Sequence, residues 1–113
     1  MRSFVTSVTN GARVPAGRAY EIKGIAFDGG SGIGAVDISV DGGRTWRSAT
    51  LGQDLGRFSF REWRSTVTFA APGAGEILVR ASNRDGQVQP MEATWNASGY
   101  RRNVVERTSV VIA

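Results

Sequence analysis

Apolar and polar residues alternate most regularly in Val36-Asp37-Ile38-Ser39-Val40, where a period of two puts Val36, Ile38 and Val40 on one face and Asp37 and Ser39 on the other. That is the pattern of a half-buried β-strand. Asp41-Gly42-Gly43 follows as a turn that needs positive φ, and Thr45-Trp46-Arg47-Ser48-Ala49 reads as the returning strand of a hairpin. Short apolar or β-branched runs recur at residues 20–27, 58–60, 65–69, 76–82 and 104–112. Gly29-Gly30-Ser31-Gly32, Ala71-Pro72-Gly73-Ala74-Gly75 and Asn83-Arg84-Asp85-Gly86 separate them as turns. No amphipathic run is long enough for a helix, so the pattern predicts an all-β domain of about seven strands arranged as an antiparallel sandwich. Within 76–82, Ile77, Val79 and Ala81 share one face and Leu78 and Arg80 the other, which points Arg80 toward solvent or a partner.

The length of 113 residues suits one domain with a real core, and 41% apolar against 21% charged residues is a globular composition rather than a disordered or membrane-spanning one. Fourteen basic residues outweigh ten acidic ones, giving net +4 and a pI near 10.6. They are scattered from Arg2 to Arg107 without a basic run, so they read as a solvated surface, and neither a nucleic acid nor a membrane is expected as partner. The chain has no Cys and no His. With neither thiolate nor imidazole available, no metal, cofactor or catalytic residue is expected within the chain, and Cys-His and Ser-His-Asp nucleophilic machinery is excluded. No paired carboxylates stand out for acid–base work. The start Met1-Arg2-Ser3-Phe4 lacks the apolar stretch of a signal peptide, and the compartment is not legible.

Ser39-Val40-Asp41-Gly42-Gly43-Arg44-Thr45-Trp46 resembles the Asp-box that caps hairpins in sialidase-like propellers. A single copy in so short a chain does not make a propeller, and Asp41, Gly42, Gly43, Thr45 and Trp46 are read as a structural hairpin whose carboxylate accepts from backbone N–H groups further on. The glycines at 29, 30, 32 and 34 lack the Lys-Ser or Lys-Thr pair of a phosphate loop and read as a connection between strands. Asn96-Ala97-Ser98 matches a glycosylation sequon, relevant only in a eukaryotic secretory setting that nothing else supports. Trp46 and Trp63 are expected in the core, whereas Trp95, which opens a polar segment, is the tryptophan best placed to line an interface.

Several pieces then occur in order: Gly24-Ile25-Ala26-Phe27, the glycine-rich turn, residues 36–46, Leu78-Val79-Arg80-Ala81-Ser82-Asn83, Asp85-Gly86, Gln89-Pro90, and Trp95-Asn96-Ala97-Ser98-Gly99-Tyr100 with Asn103. The ordered set, from about residue 18 to 112, resembles the C-terminal dimerisation domain of the sulfite oxidase family of molybdenum enzymes. The resemblance implies an immunoglobulin-like sandwich over residues 1–113, the C-terminal part of a larger molybdoenzyme. It implies a preceding molybdopterin-binding domain that carries the molybdenum and its thiolate ligand, and pairing of subunits into a homodimer through the sandwich. On this reading the isolated domain is not an enzyme, and a bacterial exported parent would place it in the periplasm.

The same resemblance turns one loop toward the active site of the partner domain: Trp95, Asn96, Ser98, Gly99, Tyr100, Arg101, Arg102 and Asn103. Animal sulfite oxidases have an arginine just before the loop glycine that helps hold the anionic substrate, and here the matching residue is Ser98. A serine offers one neutral hydrogen bond and no charge. Arg101 and Arg102 are near enough in sequence to compensate. The competing reading is an immunoglobulin-like accessory module that binds carbohydrate or another ligand through Trp63 and Tyr100.

Overall fold

The structure, a computed structural model, describes residues 1–28, 31–53, 60–91 and 105–113. Among them nine strands form: β1 (Arg2–Val5), β2 (Ala12–Val14), β3 (Ala19–Phe27), β4 (Ile33–Ser39), β5 (Arg47–Ser48), β6 (Thr50–Leu51), β7 (Arg61–Thr68), β8 (Gly73–Asn83) and β9 (Glu106–Ile112). They make a four-stranded sheet in the order β1-β3-β7-β6 and a five-stranded sheet in the order β2-β9-β8-β4-β5. The expected all-β sandwich is what forms, with nine strands in place of about seven.

The sandwich closes because the alternation predicted from sequence puts one face of each sheet inward. Trp63, Ser65 and Val67 of β7, Ile22 and Ala26 of β3, Val36 and Ile38 of β4, and Ile77, Val79 and Ala81 of β8 are buried between the layers. Trp63 alone removes about 200 Å² from water, an upper contribution of about 5 kcal/mol. Its indole lies over Gly24, the residue opposite it on β3, and a Cβ there would overlap both the ring and the Phe4 carbonyl oxygen. Only glycine lets the indole reach the backbone at this point.

Three strands were not legible. β1, β2 and β6 are two to four residues long, too short to show a period, and they form because a partner strand is present. β2 pairs with β9 in parallel, Ala12 opposite Val110, so the sandwich is not antiparallel throughout. Residues 73–75, expected as a turn, are strand: Gly73, Ala74 and Gly75 pair with Ile112, Val111 and Val110 of β9. Thr45 and Trp46, expected in a strand, belong to the turn, because Asp41 holds Thr45 in the loop and ladder pairing begins only at Arg47. Phe60 lies outside any strand, and residues 58 and 59 fall outside the described residues. Leu78 points outward as expected yet is fully buried, and the reason lies in the hairpin.

Candidate functional site

The hairpin after β4 is organised by one carboxylate and one hydroxyl. Ser39 Oγ donates to Asp41 Oδ1 at 2.8 Å and accepts from Gly43 N–H at 2.9 Å. Asp41 Oδ1 accepts from Thr45 N–H at 2.9 Å, and its Oδ2 accepts from the Thr45 hydroxyl. Gly42 and Gly43 have φ of 78° and 93°, which the turn requires and an L side chain resists. The hydrogen bonds from the Thr45 hydroxyl, the Thr45 N–H and then Ser39 hold the Asp41 carboxyl at a pKa of about 2, below its ordinary 3.8. A carboxylate held by three hydrogen bonds is a structural bracket, and its lowered pKa makes it a poor base.

This bracket delivers Trp46 to the outer face of the five-stranded sheet. Trp46 Nε1 donates to Gly43 O at 3.1 Å, and the Arg80 guanidinium stacks over the ring at 4.1 Å. Arg80 Nη2 also donates to Asp37 Oδ2 at 3.3 Å, across the β4–β8 ladder. Arg80 is therefore outward, as its register demands, but engaged rather than free. Met91, Trp46 and Leu78 converge on Gly43, within 3.8 Å of where its Cβ would stand, and this cap explains why Leu78 is shielded from water.

Behind the cap, Gln89 is buried at 2% exposure and ties three segments together. Its Oε1 accepts from the Ser3 hydroxyl and from Ala81 N–H, each at 2.8 Å, and its Nε2 donates to Met1 O at 3.2 Å. Gln89 entered the sequence reading as part of a family motif, and its architectural task was missed. A glutamine in a short segment with no clear period carries no signal of burial. Its neighbour Pro90 accepts at its carbonyl from Val105 N–H at 2.9 Å, so the chain before residue 92 and after residue 104 is joined at a neck.

Of the candidate residues, Asp41, Gly42, Gly43, Thr45 and Trp46 come together in the turn after β4. Trp95, Asn96, Ser98, Gly99, Tyr100, Arg101, Arg102 and Asn103 lie outside the described residues. Trp63, proposed as a sugar-binding aromatic, is instead 2% exposed between the sheets, with its ring against Gly24 and no open face for a sugar to stack on. On the outer face of the four-stranded sheet a concavity of about 380 Å³ opens among Thr6, Lys23, Ile25, Thr50, Glu62 and Arg64.

Comparison with known proteins gives this scaffold its place. The family model described as the Mo-co oxidoreductase dimerisation domain matches residues 1–112. The chain belongs to that family. The match takes in β1 and β2, which precede the motifs from about residue 18 that carry the resemblance. Sulfite oxidase from Gallus gallus is 38% identical over 106 residues, covering 88% of this chain and 23% of that protein. Among solved structures, the sulfane dehydrogenase SoxCD from Paracoccus pantotrophus superposes with a TM-score of 0.65 at 23% identity, over 80% of this chain and 24% of that one. The fibronectin(III)-like modules of CbhA from Clostridium thermocellum superpose with a TM-score of 0.59 at 18% identity, over 98% and 94% of the two chains, a likeness of fold. This dimerisation domain thus spans about a quarter of the length of the Gallus gallus sulfite oxidase and of the SoxCD chain.

The residues of this dimerisation domain do not fit a molybdenum–pterin group. The chain has no cysteine and no histidine, and among the described residues no cluster of three or more His, Cys, Asp or Glu stands where it could hold a metal ion.

Proposed function

We propose that this chain is the noncatalytic assembly domain of a sulfite oxidase-like molybdenum oxidoreductase, pairing subunits and presenting the loop at residues 95–103 to a molybdopterin-binding domain of the same enzyme. The observation that carries this reading is the family match over nearly the whole chain, joined to a residue set unsuited to the cofactor. The neck between Pro90 and Val105 supports the loop's role, since it anchors both ends of that segment to the sandwich. Its substrate contact would come from Ser98 in place of the arginine of animal sulfite oxidases, with Arg101 and Arg102 beside it to supply charge.

The test uses the whole enzyme that carries this chain and the chain by itself. The chain alone turns over no sulfite with any electron acceptor, whereas the enzyme does so or oxidises a related anion. In the enzyme, Ser98→Arg lowers KM for sulfite about tenfold, the worth of roughly one charge-assisted bond over a neutral one. Turnover by the chain alone, or an unchanged KM for Ser98→Arg, sinks the respective half of the reading.

A further inference from the structure

The chain has two methionines, and they stand in different surroundings. Met1 packs partly buried against the core, whereas Met91 is 38% exposed. One side of the Met91 side chain faces water and the other closes the cap over the hairpin. Its Cε lies 3.3 Å from where a Gly43 Cβ would stand, beside the Trp46 ring and a Leu78 methyl. Leu78 points out of the five-stranded sheet yet is fully buried, so its shielding depends on Met91 and Trp46. Met91 also follows Pro90 directly, and the Pro90 carbonyl accepts from Val105 N–H at 2.9 Å to close the neck. An accessible thioether thus joins the cap to the neck.

We propose that Met91 is a modification site, at which oxidation by a peroxide to the sulfoxide opens the cap and loosens the neck. In the step the Met91 sulfur attacks one oxygen of hydrogen peroxide. The S–O bond forms as the O–O bond breaks, sulfur gives up two electrons, and the departing hydroxide takes the proton of the transferred oxygen to leave as water. The product carries a strongly polar S–O group on a side chain that had filled an apolar gap. Leu78 and the indole offer that oxygen no free donor, because the Trp46 N–H is already given to Gly43 O. The S–O group therefore turns to water and draws the methyl away from Gly43. Leu78 is then uncovered, and Pro90 loses the neighbour that seats it against the hairpin. A sulfoxide reductase reverses the step with a dithiol, which becomes a disulfide as the oxygen departs as water. The cap and the neck carry this inference without the assembly role.

The test treats the whole enzyme that carries this chain with dilute hydrogen peroxide. Peptide-mapping mass spectrometry is expected to find one added oxygen at Met91 about fivefold faster than at Met1, following exposure. Hydrogen exchange read by mass spectrometry is then about tenfold faster in peptides covering Val105 and the 43–46 turn, while β7 keeps its protection and reductase treatment restores the original rates. Met91→Leu, close in volume, abolishes the response to peroxide. Met91→Gln, which sets a polar group near the position of the sulfoxide, speeds exchange at Val105 with no peroxide added. A Met91 that stays unoxidised while Met1 reacts overturns the site. Unchanged exchange at Val105 in both the oxidised enzyme and Met91→Gln overturns the coupling to the neck, and so does equal acceleration in β7, which would be general unfolding.

Discussion

Asp41 is one exposed carboxylate that receives three hydrogen bonds from two nearby residues, and its acidity follows from them. Its folded pKa of about 2 lies below the ordinary 3.8, so its contribution to stability is complete above pH 4 to 5 and is lost as pH falls through about 2. The wild-type melting temperature therefore falls more steeply between about pH 5 and 2 than that of Asp41→Asn, and the two curves meet near the acid end. Differential scanning calorimetry across that range measures it. Gly24 makes the opposite kind of demand, for absence rather than charge. Gly24→Ala drives a methyl into the Phe4 carbonyl and the Trp63 ring and costs about 3 kcal/mol by urea denaturation. Trp63→Phe does not rescue it, because the carbonyl remains. The hairpin was legible because Ser, Asp, Gly and Thr at fixed spacing declare their own local bonds. Gly24 was not, since its necessity comes from a tryptophan 39 positions away in sequence.

At the level of strands, legibility tracked length and sidedness. β4 and β7 bury alternate residues over most of their span, and a period of two shows in the sequence. β1 shows nothing of the kind, because four residues cannot carry a period and Ser3 is fully buried in it. What seats β1 is its ladder with β3 on one side and the Gln89 amide on the other. Gln89→Leu strands the Ala81 N–H in the interior and leaves the Ser3 hydroxyl only the Val79 carbonyl at 3.4 Å, at a cost of about 2–3 kcal/mol. Hydrogen exchange should speed up at Ala81 and across β1 while β4 keeps its protection. Uniform acceleration in every strand would show that Gln89 supports the sandwich globally rather than this seam. The hairpin's effect on β8 was equally hidden: the sequence pattern put Leu78 on the outer face, and only the folded turn brings Trp46 and Met91 over it.

Across the whole molecule, the two ends of the chain meet. β9 lies between β2 and β8, pairing Val110 with both Ala12 and Gly75, so the last strand is interior to its sheet rather than an edge. Removing residues 106–113 deprives both neighbours of their ladders and exposes Val110, and the truncated chain is expected to lose its cooperative melt by circular dichroism. The parallel β2–β9 pair leaves no trace in the sequence, since local pattern says nothing about which strand will lie beside which. At the far side of the same sheet, the Val105 N–H bond to Pro90 O ties off the polypeptide around residues 92–104. A tied stem makes whatever it carries exchangeable. Insertions, deletions or new side chains can accumulate beyond it while β8 and β9 keep every rung of their pairing, so sequence can change in one stretch without disturbing the sheet that carries it.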